Sequence, residues 1–371
     1  MEGLETPWSM AWLPDGRMLI TERRGELLRF DPEDESLTEI EGVPAVRAEG
    51  QGGLFDVVLH PRYAETGWVY LAYAYLDAES GRSSTAILRA RLEGDALIDQ
   101  EPLYRAEQDF GLVSDLKSSV KQMLGKPPGR DSRAHYGGRM VFDEAGYLYF
   151  SVGDRGSRDL FPQDLTRDAG KIYRIHDDGR IPEDNPFLHR EDAKPAIYAY
   201  GLRNPQGMAR HPGTGKIWIH EHGPRGGDEL NVIEPGANYG WPILSHGVNY
   251  SGSEFAEGTE REGFRSPAWH WTPSIAPSGM AFVTSPRYPE WRGGLLAGSL
   301  KFGYLVLCRL DGDRVTGQEI VVEDLGRLRD VREGPDGFIY VAIDGRGIVR
   351  ILSSVGAGES AADGAETIPG L

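Results

Sequence analysis

The chain of 371 residues has one cysteine, Cys308. No internal disulfide can staple the fold, and a single thiol leaves the redox compartment open. Lysine is scarce, 7 residues against 33 arginines, a bias found in some heat-adapted families. No run of 18 apolar residues occurs, so no segment reads as a membrane-spanning helix. The opening residues MEGLETPWSM have neither the basic nor the apolar region of a secretory leader. The chain therefore reads as cytoplasmic, or as a mature form whose leader has been removed. Sustained helical periodicity is also missing. Positive charge is outnumbered, 40 Lys and Arg against 57 Asp and Glu, for a net charge of −17. That balance argues against nucleic acid or an anionic membrane as partner.

What is abundant is turn-forming residue: 49 Gly and 24 Pro, with 10% aromatics. This composition favours many short strands joined by tight turns. One unit recurs: strand, Asp-Gly turn or its equivalent, strand, turn, strand. It begins at Trp8–Phe30 (WSMAWLPDGRMLITERRGELLRF) and returns at Gly53–Pro61 and at Gly138–Asp154. Further copies lie at Pro205–Gly223, Pro277–Ser285 and Arg329–Leu352. Six copies around a common centre predict an all-β fold, a six-bladed β-propeller with four antiparallel strands per blade. The whole of residues 1–352 is expected to form this one domain. Glu107–Arg133 breaks the pattern. In it Leu112, Val113, Leu116, Val120 and Leu124 recur near helical spacing, which predicts an inserted loop or short helix on one face. Residues 353–371 are small, polar and acidic and read as a flexible tail.

In a propeller the residues just before each inner strand meet at the channel mouth, however far apart they lie in sequence. Those positions hold Gln51, His135, Arg203, Asn204, Ser274, Arg327 and Arg329, with Lys301 at the end of a later strand. Each alone has a plain structural explanation: Gln51 as a turn residue, His135 as a surface histidine, Arg203-Asn204-Pro205 as a capped turn, Asp154 of SVGDRG as a turn carboxylate. Together they are rich in cations, amides and hydroxyls, which suits a flat polyanion rather than a carboxylate cage for a metal. The stretch HEHGPRGGDELN (His220–Asn231) leaves a strand through a Gly- and Pro-rich turn. It reads either as a surface turn or as a loop that offers backbone carbonyls to a hard cation, with Asp228 and Glu229 adding negative charge.

The motifs GQGGLFDVVLHP, HYGGRMVF with SVGDRG, YGLRNPQGMARHP, EHGPRGGDELN with NYGWP, and WTPSIAPSGMAF together resemble the glucose/sorbosone dehydrogenase family over about Leu4–Leu352. These are soluble aldose sugar dehydrogenases dependent on pyrroloquinoline quinone (PQQ). The resemblance implies a six-bladed propeller with PQQ and Ca²⁺ at the channel mouth, an aldose substrate and an external electron acceptor. It also implies a periplasmic or secreted location and a monomer or homodimer. By residue, it implies His135 as the general base, Asp154 as the carboxylate that orients it, and Arg203 near the reactive quinone oxygen. Asn204, Gln51, Ser274, Lys301, Arg327 and Arg329 are implied as further contacts to PQQ. Gly223 and Pro224 are implied carbonyl donors to its Ca²⁺, and Glu229 and Tyr239 ligands of a second, structural Ca²⁺. Thr272 departs from the tryptophan, and Ala134 from the acidic residue, of glucose-oxidising members. Together with the insertion they favour a broad-range aldose dehydrogenase. The rival readings are a metal-dependent lactonase, which would need a carboxylate-rich channel, and a non-catalytic binding propeller.

Overall fold

A computed structural model of the chain describes residues 1–107, 132–156 and 161–353, and the backbone of 366–367. The segment 108–131 of the predicted insertion, and most of the predicted tail, lie outside the described residues. Six sheets of four antiparallel strands make a six-bladed β-propeller. The innermost strands are Pro7–Trp12, Leu54–Leu59, Gly137–Phe142, Pro205–Arg210, Pro277–Phe282 and Leu328–Glu333. Each touches the next around the axis and the last touches the first, which closes the ring. Glu366–Thr367 pair with Val349–Arg350 as the fourth strand of the sixth sheet. Helix is confined to one turn at Tyr63–Thr66 and a short 3₁₀ segment at Phe161–Gln163 among the described residues. No helix there is long and apolar enough to cross a membrane.

Four of the six inner strands follow one burial pattern, four buried residues and then two half-buried ones, so each leaves the core at its outer end. Apolar side chains fill the wedges between blades. Trp8, Phe55, Tyr136, Met140 and Phe150 form one continuous cluster across the first three blades. Burying a side chain of this size is worth roughly 1.5–3 kcal/mol. At its mouth end every inner strand slips register against its neighbour, at Pro7/Ser9, Leu54/Val57, Phe150/Val152, Pro205/Gly207, Ser278/Met280 and Leu328/Asp330. A bulge placed there turns the chain out of the ladder and aims the next side chains across the mouth.

The third residue of each inner strand faces the axis: Ser9, Asp56, Arg139, Gly207, Gly279 and Asp330. Four are polar, and they connect. Arg139, 1% exposed, lies 2.9 Å from Asp330 and 3.7 Å from Asp56. Its Nε donates to Gln206 O (2.8 Å), and another guanidinium nitrogen donates to Arg329 O (2.9 Å). Arg332 also contacts both carboxylates, at 2.8 Å to Asp56 and 2.9 Å to Asp330. Ser9 donates to Asp56 Oδ1 and Met140 N to Asp56 Oδ2 (2.5 and 2.8 Å). Two carboxylates and two guanidiniums thus alternate in a buried ring. The two glycines serve His220, whose Nε2 donates to Gly279 O (3.1 Å). A Cβ on Gly207 would lie 2.1 Å from that imidazole. Burial lowers His220 to about 4, so it sits in the channel as a neutral ring.

Candidate active site

The predicted base comes first. His135 enters the third blade with φ of +53°, a left-handed conformation that histidine tolerates better than most residues. Its neighbours hold it there. Its N–H donates to Gln51 Oε1 (2.7 Å), and its carbonyl accepts from Arg155 N (3.3 Å). The Arg155 guanidinium stacks on Tyr136 at 3.4 Å and donates to the carbonyls of Ser132 and Ala134, so it clamps the chain on both sides of the histidine. The imidazole is 16% exposed, and its Nδ1 lies 2.6 Å from Asp154 Oδ1. With Nδ1–H donated to the carboxylate, the Nε2 lone pair is left for a substrate proton.

Asp154 is fully buried and fully engaged. Oδ1 also accepts from Gly156 N (2.7 Å), and Oδ2 accepts from Trp241 Nε1 (2.8 Å). Burial pushes its carboxyl up, but the hydrogen bond and charge of His135, with Arg203 beyond, outweigh that and hold it below the usual carboxylate value. Arg203 is 6% exposed. It donates to His222 O (2.8 Å) and Gly223 O (2.9 Å), and its guanidinium lies 5.4 Å from the Trp241 ring. Its own N–H and that of Asn204 are both received by Glu221 Oε2. Asn204 Oδ1 accepts from Gly137 N (3.2 Å).

Beside this cluster a cavity of about 210 Å³ opens at the channel mouth. Gln51, Asn204, Arg327 and Arg329 line it, as the sequence predicts, and so do Arg23, His222 and Asp344. Asp344 is the one acidic residue in that wall, against three arginines. It receives Arg327 Nε at 3.0 Å and Arg329 at 3.5 Å. Burial pulls Arg329 down to about 10, so it keeps its proton at neutral pH. Ser274 and Lys301 do not line the cavity; they are joined to each other, Lys301 Nζ donating to Ser274 O (3.3 Å).

The turn at Gly223 is bolted from behind. Asp228 receives Gly223 N (2.8 Å) through one oxygen and Ala276 N (2.7 Å) through the other, tying the fourth blade to the fifth. Glu229 lies directly across the strand pair from Glu221. Burial first, then the Glu229 charge, raises Glu221; burial and the Asp228 charge raise Glu229. Tyr239 points its hydroxyl at Val232 O (2.6 Å) and receives Glu234 N (2.9 Å). It makes no hydrogen bond to Glu229 among the described residues.

Several site residues carry no signal that sequence reasoning used. Arg23 reads as half of an Arg-Arg-Gly turn, yet its guanidinium holds Gly50 O (2.7 Å) and Gly52 O (3.2 Å), on either side of Gln51. Tyr250 stands 73% exposed with its hydroxyl 3.5 Å from Arg203. Trp241 belongs to the NYGWP motif, but nothing in that motif says what the indole touches. The order of the repeat does place His222 and Asp344 near the mouth, since both follow the second strand of a blade.

The glucose/sorbosone dehydrogenase family pattern matches residues 4–351. A protein named aldose sugar dehydrogenase YliI, from Escherichia coli strain K12, is 41% identical over 345 residues, covering 92% of this chain and 88% of that one. Among solved structures, a glucose dehydrogenase superposes with TM-score 0.86 at 38% identity, covering 95% of this chain and 98% of its own. The PQQ-bound form of an aldose sugar dehydrogenase from Streptomyces coelicolor superposes with TM-score 0.71 at 28% identity, covering 98% and 92%.

Proposed function

The chain belongs to the glucose/sorbosone dehydrogenase family, as an oxidoreductase acting on sugars, and on that premise we propose that it oxidises aldoses at the anomeric carbon to the lactone, with His135 as the base. The observation that carries the reading is the His135–Asp154 pair, 2.6 Å apart, at the edge of a cavity with three arginines and one carboxylate in its wall. The surplus positive charge fits a polyanionic cofactor such as PQQ. The Gly223 and Pro224 carbonyls fit the Ca²⁺ that would accompany PQQ, and half-buried Glu229, across the strand pair from buried Glu221, fits a second Ca²⁺ whose charge would relieve the two carboxylates. When bound, PQQ supplies the two-electron acceptor for the hydride, Ca²⁺ polarises it, and an external acceptor then takes the electrons.

The protein's own residues do the rest. His135 Nε2 takes the proton of the anomeric hydroxyl while Asp154 keeps the ring in the productive tautomer and stabilises the imidazolium. Arg203, pinned by two carbonyls, presents fixed positive charge where negative charge develops. Gln51 ties the base to the cavity wall. Arg327, Arg329 and Lys301 hold the cofactor's carboxylates. Thr272, in place of the tryptophan of glucose-oxidising members, supports a broad range of aldoses. A lactonase is less well supported, because both axial carboxylates are already matched by guanidiniums.

The test is reconstitution. Apo protein given PQQ and Ca²⁺ should reduce an artificial dye with an aldose, and exhaustive chelation should abolish the activity until Ca²⁺ is returned. Gly223→Ala should impair reactivation by Ca²⁺, since a Cβ there would stand 2.2 Å from Gly227 O and displace the donor turn. Full activity in protein shown to be metal-free would rule out the calcium site.

Cofactor charge has its own test. A charge-assisted hydrogen bond is worth about 1.5–3 kcal/mol, so Arg329→Ala should weaken PQQ binding by about ten- to a hundredfold in a titration of the apo protein. Unchanged affinity in Lys301→Ala, Arg327→Ala and Arg329→Ala alike would place the cofactor elsewhere.

A further inference from the structure

We infer that Trp241 is a positioning residue for the base. Resting on the reading of His135 and Asp154 above, its indole N–H fixes the second oxygen of the carboxylate and thereby sets the proton affinity of the histidine. Three observations meet in this side chain. Nε1 donates to Asp154 Oδ2 at 2.8 Å, opposite the oxygen that receives His135 at 2.6 Å. The ring is buried and packs edge-on against Phe255, with centroids 5.4 Å apart. Its other neighbour is the Arg203 guanidinium, so one side chain lies against both the orienting carboxylate and the charge-stabilising arginine.

The loop that carries Trp241 is itself fixed. Gln163 Nε2 donates to Trp241 O (2.8 Å) and to Asn238 Oδ1 (3.0 Å), and Asn238 Nδ2 returns a bond to Gln163 Oε1 (2.7 Å). Gln163 lies in the 3₁₀ turn Phe161–Gln163, whose Phe161 and Pro162 carbonyls receive the buried Lys171 ammonium (2.8 and 3.2 Å). The indole is thus presented from a rigid support rather than from a free loop, which a hydrogen bond that tunes a neighbour requires.

The chemistry has a definite sign. A carboxylate that accepts an extra N–H shares its charge and pulls less strongly on the His135 proton. Removing that donor leaves Asp154 more basic, so His135 becomes protonated at higher pH and the enzyme loses its base sooner on acidification. Trp241→Phe keeps the ring for Phe255 and Arg203 and deletes only the N–H. In the reconstituted holoenzyme it should move the acid limb of the pH–turnover profile upward by about one pH unit, the worth of one charge-assisted hydrogen bond. On that limb it should therefore lower kcat by up to about tenfold, with kcat above the limb, KM for the aldose and PQQ affinity within about threefold of wild type. In an Asp154→Asn background the same substitution should cost almost nothing more, because the two act through one carboxylate. Phe255→Leu disturbs the packing of the same ring but keeps the donor, and should leave the limb in place.

An unmoved acid limb in Trp241→Phe, or full additivity with Asp154→Asn, would overturn the inference while leaving the function intact. Unchanged turnover in Asp154→Asn and His135→Gln would instead overturn the function. Should Trp241→Phe fail to fold, Gln163→Ala releases the Trp241 carbonyl and should shift the limb in the same direction by less; an unmoved limb there counts against the inference equally.

Discussion

His135→Gln is expected to lower steady-state turnover with an aldose by about 10²–10⁴-fold, the usual worth of a base in a transition state, at saturating PQQ and Ca²⁺. Glutamine matches the size of the imidazole and can still meet Asp154, but it cannot accept a proton near neutral pH. The surroundings do not depend on the ring. Gln51 holds the backbone N–H of residue 135, and Arg155 holds the preceding carbonyl. The variant should therefore fold and bind PQQ nearly as the wild type does. Asp154→Asn should cost less, since it misorients the imidazole without deleting it. Turnover of the wild type should fall on acidification as His135 gains its proton. Asp154 is held below the usual carboxylate value and remains charged through that range, so the limb belongs to the imidazole. The limb should vanish in His135→Gln. Near-wild-type turnover in that fully reconstituted variant would assign the base to another residue.

The strand grammar of the fold was open to reading because it is local. Pro14-Asp15-Gly16 or Pro335-Asp336-Gly337 marks a turn whatever else the chain does, and six such units leave few closed arrangements. The mouth residues were readable for the same reason, since the repeat fixes which positions precede each inner strand. What pairs across the axis was not readable. Asp56 and Arg139 stand in otherwise apolar strands, and each side chain is explained by partners in other blades. Trp241 finds Asp154 from a loop 87 residues away, and no periodicity announces it. Glu229 shows the limit in another way: its charge was legible, but its place opposite Glu221 follows from strand register, which the sequence does not print.

That axial ring carries the largest expected effect on stability. Arg139→Leu removes one of two guanidiniums from a site with two carboxylates, leaving Asp56 and Asp330 to share Arg332. It also strips donors from Gln206 O and Arg329 O, so blades four and six each lose one hydrogen bond to blade three. Breaking a buried charge network by removing one member costs about 3–5 kcal/mol, because the remaining charge is neither solvated nor paired. For a domain of this size, with unfolding entropy near 2 cal/mol/K per residue, that is a fall in Tm of roughly 5 °C. Charge and packing can be separated. Arg139→Leu with Asp330→Asn restores one carboxylate to one guanidinium, so the double variant should recover part of the loss; a purely steric effect would not be recovered. The pH dependence has a sign as well. With Arg139 gone, a surplus buried carboxyl is raised above its unfolded value, so the deficit of the variant should be greatest at neutral pH and shrink as acid supplies the missing proton. Scanning calorimetry of both variants across pH reads all of this. A single variant that melts within about 1 °C of wild type at neutral pH would mean that the ring contributes nothing to closure and that apolar packing between the wedges holds the propeller shut by itself.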